Sequence, residues 1–158
     1  MTDPQVYLRK TEERDWPLML AWRNNPLINK YYWSQLGDRK HLITWEEHVL
    51  WMNSRTTDWS FFTIGYGSRP VGILSFACLS SWAADSGIYI GEITLQRQGI
   101  GKEAFRQGLQ LVSNRWLNAT ITKVNEPSIK FFESLGFKRI GEARPEEWLY
   151  RLDRGEQR

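Results

Sequence analysis

The stretch at residues 95–105, LQRQGIGKEAF, constrains this chain more than any other. Gly99 and Gly101 flank Ile100 at the head of a run in which Phe105, Leu109, Val112 and Trp116 recur at helical spacing, so a tight loop feeds a helix start. Such a start leaves backbone N–H groups unpaired and carries about half a positive charge. Glycines let that backbone approach an oxyanion closely. With Arg97 before it and Lys102 within it, the segment reads as a phosphate bed. A P-loop is excluded, because Gln96 stands where its first glycine belongs and Glu103 where its hydroxyl belongs. A dinucleotide fingerprint matches in spacing only. The next strand ends in Lys123-Val124-Asn125 with no acid for a ribose, and several elements precede the loop where such a fold would begin.

The other segments arrange themselves around this anchor. Residues 6–10 read as a first strand. Residues 11–25 read as a helix with Thr11 as N-cap and Trp16, Met19, Leu20 and Trp22 as its apolar stripe, stopped by Asn25-Pro26. Residues 27–43 carry no periodic signal. Thr44 and Glu47 make a capping box for a second helix. Two β-rich runs, 58–66 and 69–79, meet at Gly67-Ser68 in a hairpin, and 87–95 is a further strand leading into the glycine loop. The helix that follows reaches Trp116, and 119–124 is a short strand. Residues 126–137 form a helix with Pro127 in its first turn and Gly136 as its left-handed stop. Residues 137–141 and 146–153 close the order β-α-α-β-β-β-α-β-α-β-β, an α+β domain with a mixed sheet over 1–153 and a frayed tail at 154–158.

Composition narrows the partners. Over 158 residues, 41% hydrophobic and 25% charged describe a globular chain rather than a disordered one. A net charge of +3 with acids interspersed among bases favours a small anionic ligand over a nucleic acid. No apolar run is long enough for a membrane span and the N-terminus has no signal-peptide core, so the expected location is the cytoplasm. Cys78, the single cysteine, rules out an internal disulfide and is expected to be a packed thiol within a strand rather than a reactive one. Nine tryptophans exceed what a core of this size uses, so some are expected to line a pocket. A homodimer is compatible with this reading, and no metal is called for.

Gln96, Gly99 and Gly101 satisfy [QR]-x-x-G-x-[GA], and NEPSIKFFESLGF at 125–137 fits roughly N-x-x-S-h-x-h-Y-x-x-h-G-F. With both motifs in this order, the chain resembles the GNAT acetyltransferase superfamily over nearly its whole length. The resemblance implies a GNAT fold, a mixed central sheet flanked by about four helices, in which the strand before the glycine loop splays from its neighbour. It implies transfer of an acetyl group from acetyl-CoA, as co-substrate, to a primary amine by direct attack. The amides of Gln98, Gly99, Ile100, Gly101 and Lys102, with Gln96 and Arg97, would hold the coenzyme pyrophosphate. Asn125 would meet the coenzyme arm or the departing sulfur, with Ser128 and Phe132 nearby. An oxyanion donor is expected among the amides of Tyr89, Ile90 and Gly91.

Phe132 departs from the family pattern, which has a tyrosine there to protonate the leaving thiolate. Tyr89, Tyr150 or a water takes over, or the thiolate leaves unassisted, its thiol having a pKa near 8.5. The first candidate for the base is Glu92, placed after the splayed strand on the acceptor side, with His48 as the alternative. Trp22, Arg23, Asn24, Tyr31, Tyr32 and His48 fall in the segment that builds the family's acceptor pocket. The W-R-N-x-P signature at Trp22–Pro26 and GIYIGE at 87–92 look most like the branch with amino-sugar-nucleotide N-acetyltransferases, which also contains enzymes for ribosomal-protein N-termini, polyamines and aminoglycosides. Arg23 or Lys30 would meet a nucleotide phosphate, and the aromatic rings would stack on a sugar or uracil face. A polycationic acceptor needs clustered acids, and Glu46-Glu47 is the only nearby pair. A non-catalytic coenzyme A-binding module is the alternative of a different class.

Overall fold

The computed structural model describes residues 3–55 and 57–155. In chain order the elements are β1 (Val6–Lys10), α1 (Trp16–Arg23), α2 (Pro26–Asn29), α3 (Trp45–Asn53), β2 (Trp59–Tyr66), β3 (Arg69–Cys78), β4 (Ala83–Ile90), α4 (Ile100–Gly108), β5 (Trp116–Thr122), α5 (Glu126–Ser134), β6 (Lys138–Arg144) and β7 (Glu147–Asp153). The sheet runs β1-β2-β3-β4-β5-β7-β6. Every neighbouring pair is antiparallel except β4 and β5, which pair in parallel over only Ala83↔Trp116, Ala84↔Leu117 and Asp85↔Asn118. Beyond those residues the two strands part, and the gap between them opens into the site. This is the expected α+β GNAT architecture with a mixed sheet, built here with five α-helices among the described residues.

Strand alternation assigns each sheet face its partners. One face sends Leu74, Phe76, Leu117, Ala119 and Ile121 against α4 and α5, where Phe105 meets Phe76, Phe131, Phe132 and Phe137 edge-on. The other face packs Ile73 and Tyr89 against Met19 and Trp22 of α1.

Three expectations need correction. Thr11 caps no helix: its hydroxyl pairs with Thr63 Oγ1 at 2.9 Å. Glu12 and Asp15 instead form a reciprocal cap on a 3-10 turn, and α1 follows it. The helix after the glycine loop stops at Gly108, and Trp116 opens β5 rather than closing that helix. Trp116 N–H donates to Trp82 O at 2.8 Å, and the residue pairs with Ala83 and Asp153, so sheet pairing outweighs a helical period that continues in the sequence. Arg154 is no part of a frayed tail, because its guanidinium donates to the carbonyls of Leu109, Val112 and Asn114 just past α4. Residues 156–158 lie outside the described residues. The stretch without periodic signal holds α2, capped by Asn25 Oδ1 accepting from Leu27 N–H, and two 3-10 turns.

Asp15 ties β1 to β2 and α1. It accepts both guanidinium N–H groups of Arg9 at 2.6 and 2.7 Å, Glu12 N–H at 2.8 Å and the Thr63 hydroxyl at 3.3 Å. Burial by itself would raise this carboxyl, but the bonds from Arg9, Glu12 and Thr63 outweigh it and leave the pKa below the ordinary value. Asp15→Asn is therefore expected to cost about 2 kcal/mol near neutral pH, discounted because Arg9 is partly exposed. The stabilisation is complete above the unfolded carboxyl pKa, near 4, and is lost as pH falls through the lower folded value. Thermal melts of both proteins from pH 7 to pH 3 check this: the gap in Tm should close below about pH 4.

Candidate functional site

The first turn of α4 forms one wall of a cleft of about 450 Å³. Gly99, its N-cap, has φ +81°, and an added Cβ there would meet nothing within 4 Å, so the left-handed backbone is what requires glycine. Arg97 also lies in the left-handed region, at φ +62°. The first intrahelical bond runs from Glu103 N–H to Gly99 O at 3.0 Å, which leaves the amides of Ile100, Gly101 and Lys102 with no acceptor inside the helix. An added Cβ on Gly101 would point at the cleft wall, 3.5 Å from Phe131 and 3.8 Å from Ile88 and Ile90. Lys30, Arg97 and Lys102 line this cleft and no described carboxylate does. A helix start, three cations and no acid fit the pyrophosphate of an acyl-CoA.

The splayed end of β4 leaves backbone amides turned toward the gap. Gly91 N–H is spent on Val71 O at 2.7 Å, in the ladder between β3 and β4. Because antiparallel ladders alternate, Tyr89 also bonds toward β3, while Ile90 and Ile88 turn their N–H groups toward the gap left by β5. Of the three expected donors, only Ile90 therefore faces the right way. Gln96 Nε2 donates to Ile90 O at 2.9 Å and braces this end of the strand.

A second cavity, of about 880 Å³, lies on the α1 and α3 side of the same gap. Tyr31, Tyr32, Ile88, Tyr89, Asn125 and Ser128 line both, so the two spaces adjoin. The second is walled by aromatic rings, among them Trp33, Trp51, Trp59 and Phe61. Arg23 reaches into it with its guanidinium 4.3 Å from the Trp51 ring, and its Nη1 donates to His48 Nδ1 at 2.8 Å. Among the described residues no carboxylate pairs with Arg23, and burial lowers its pKa, offset in part by Tyr89 and Tyr32. Burial also raises the Tyr32 and Tyr89 phenols, so both stay protonated; the Tyr89 hydroxyl is buried with no partner among the described residues.

The predicted residues divide between the two spaces. Ile90, Gln96, Arg97, Gly99, Gly101 and Lys102 line the first cleft; Arg23 and Phe132 line the second, and Tyr31, Tyr32, Tyr89, Asn125 and Ser128 line both. Asn125 also caps α5, its Oδ1 accepting from Ser128 N–H at 3.3 Å, which leaves its Nδ2 as the available donor. Gln98 faces its own loop, donating to Thr94 O, and the Ile100 side chain is core; only their backbones belong to the turn.

Several candidates are not brought to the site. Trp22 is core, packed edge-on to Tyr89. Both side-chain amide groups of Asn24 are used on the backbone of Ile43. His48 is fully buried behind Arg23 among Trp16, Trp45 and Trp51, and burial together with the Arg23 charge keeps its pKa low. Tyr150 points its hydroxyl at Glu133, away from both cavities. Glu92 lies past the end of β4, lines neither cavity and has Arg69 at 3.4 Å. With Glu92 so placed, Glu92→Gln should change the acetylation rate by less than about threefold, against the hundredfold or more that loss of a general base brings; steady-state assays near neutral pH check it.

Lys30, expected to meet a nucleotide phosphate of the acceptor, lines the first cleft instead, where the end of α2 carries it. Three residues of the second cavity escaped sequence reading. Trp51 and Trp59 were foreshadowed only by the excess of tryptophan. Glu147 gave no signal, since its place depends on pairing with a strand far away in sequence.

Residues 5–138 match the family model for the acetyltransferase (GNAT) domain. An uncharacterized protein of Methanocaldococcus jannaschii, MJ1062, is 34% identical over 157 residues, covering 96% of this chain but only 32% of that protein. The chain thus spans about a third of the length of this curated relative. The crystal structure of a domain from Methanocaldococcus jannaschii superposes with a TM-score of 0.88 at 33% identity, covering 96% of this chain and 99% of that one. A Vibrio cholerae spermidine N-acetyltransferase, solved with CoA and spermine, shares the fold with a TM-score of 0.75 at 15% identity, over 93% of each chain.

Proposed function

The chain belongs to the GNAT acetyltransferase family, acyl-CoA-dependent N-acetyltransferases, and on that premise we propose that it acetylates the primary amine of an amino-sugar nucleotide. The observation that carries this reading is Arg23, a cation with no carboxylate partner among the described residues, set into an aromatic cavity beside the coenzyme cleft. A guanidinium so placed suits a phosphate or diphosphate, and the rings of Tyr31, Trp33, Trp51 and Trp59 offer stacking faces for a sugar or base. A polyamine or aminoglycoside fits less well. Its several ammonium groups would meet Arg23 and Arg144 and only one carboxylate among the lining residues.

Acetyl-CoA, when bound, supplies an activated thioester carbonyl. The amides of Ile100, Gly101 and Lys102, with Lys30, Arg97 and Lys102 side chains, hold its pyrophosphate. Ile90 N–H donates to the carbonyl oxygen as negative charge gathers there. Asn125 Nδ2 and Ser128 stand where the two cavities meet, next to Phe132. With no phenol at Phe132, the protonated Tyr89 hydroxyl, orphaned between both cavities, is the donor for the departing sulfur. Arg23 orients the acceptor, and His48 holds Arg23 by accepting its Nη1 hydrogen.

The deciding experiment measures thiol release from acetyl-CoA with a UDP-linked amino sugar, spermidine, kanamycin and an N-terminal peptide. The amino sugar should give the highest kcat/KM. A higher value for any other amine replaces this acceptor, and coenzyme A binding without turnover on any amine returns the protein to a binding module.

A further inference from the structure

Glu147 is the sole carboxylate among the described residues that line the acceptor cavity. It opens β7 and pairs across the ladder with Thr122 at the end of β5. Thr122 O in turn accepts from the N–H of Asn125, the residue shared by both cavities. The residue is 8% exposed, and its side chain accepts no hydrogen bond from the described residues. Its nearest cation is Arg144 on β6, with Nε at 3.5 Å, and that guanidinium is itself engaged 3.8 Å over the Trp33 ring. The other charged groups facing it are Glu146 beside it on the chain and Arg39 from the 3-10 turn above. A carboxylate held this way has accepting capacity to spare, and its partial desolvation strengthens its attraction for an ammonium.

The remaining cavity groups cannot take a proton from an ammonium. Tyr32 and Tyr89 are held protonated by burial, Arg23 is a cation, and His48 spends its free ring nitrogen on Arg23 behind the cavity wall. Glu92 lies elsewhere, beside Arg69. Burial raises the Glu147 carboxyl above its ordinary value despite Arg144 and Arg39, a direction that makes it a better base.

We propose that Glu147 binds the acceptor ammonium and removes its proton, acting as the general base of the transfer. The inference rests on acetyl transfer taking place in this cavity, and deepens that reading by naming how the amine is received. The ammonium gives one proton to the Glu147 carboxylate. The neutral nitrogen then forms the C–N bond as the C–S bond breaks, and the thiolate departs to be protonated by Tyr89. The second nitrogen proton and the one on Glu147 pass to solvent, and Tyr89 regains its own from water.

The test compares Glu147→Gln with wild type across pH 6.5 to 9.5. The assay uses acetyl-CoA with each amine of the panel above, plus 2-aminoethanol at high concentration as a small generic acceptor. Acetyl-CoA affinity and Tm, measured in parallel, should stay near wild type, because Arg144 is half exposed and Glu147 lies outside the coenzyme cleft. At pH 6.5 the variant should lose about a hundredfold or more in kcat/KM, the usual worth of a general base. The loss should shrink below about tenfold by pH 9.5, where solution already supplies neutral amine. If the same graded loss is seen on spermidine, kanamycin or the peptide as preferred acceptor, Glu147 stands and the amino-sugar reading falls. A loss under threefold, or one equal at every pH, overturns the role of Glu147 whichever amine is preferred. Absence of turnover on every amine, 2-aminoethanol included, overturns both.

Discussion

Gly101→Val should abolish measurable acetyl-CoA binding while the protein still folds. The first added carbon is accommodated, since it would lie 3.5 Å from Phe131 and 3.8 Å from Ile88 and Ile90, ordinary contact distances. The two further methyl groups have only the cleft to occupy, at the turn where the amides of Ile100, Gly101 and Lys102 converge. Holding a pyrophosphate off those amides forfeits several charge-assisted bonds at once, each worth roughly 1.5–3 kcal/mol. The affinity loss is then at least a hundredfold, since about 1.4 kcal/mol is tenfold. Calorimetry with acetyl-CoA measures it, alongside a thermal melt. A folded variant with wild-type affinity would remove α4 from the phosphate site altogether.

Arg23→Gln is the second large effect. Glutamine keeps a donor for His48 Nδ1, so the contact between α1 and α3 survives the change. What it removes is the cation facing the acceptor. Truncating one partner of a desolvated charge pair costs about 2–5 kcal/mol. For a UDP-linked amino sugar, kcat/KM should fall by about a hundredfold or more, chiefly through KM. For 2-aminoethanol, which has no anion, the change should stay within about threefold. Equal losses on both amines would mean that Arg23 shapes the cavity wall and reads no phosphate.

These predictions draw unequally on sequence and structure. The glycine loop was legible because its requirements are local. A left-handed residue at Gly99, a glycine at Gly101 and cations beside them make an anion site wherever the chain goes next. The α5 motif was equally readable, with Asn125 as cap, Pro127 in the first turn and Gly136 at φ +95° as the stop. The Thr44 and Glu47 box and the Gly67 turn belong to the same class of short-range chemistry. Trp116 marks where such reasoning fails: its helical spacing is genuine, but its partners Ala83 and Asp153 lie far off in the chain.

The sequence by itself determined the family and the glycine-loop turn, because an anion site at a helix start is written in neighbouring residues. Only the tertiary structure decided what lines the second cavity. Glu92 and His48 look like bases in a one-dimensional reading. The fold sends the first toward Arg69 and buries the second behind Arg23. It brings forward Glu147, silent in sequence, because β7 pairs with β5 in the register that sets it opposite Thr122. The expected oxyanion donors narrowed to the Ile90 amide for the same kind of reason: ladder alternation, and the parting of β4 from β5, decide which amide is left unpaired by the sheet. Contacts between residues far apart in the chain are fixed by register and packing, and no local pattern encodes them.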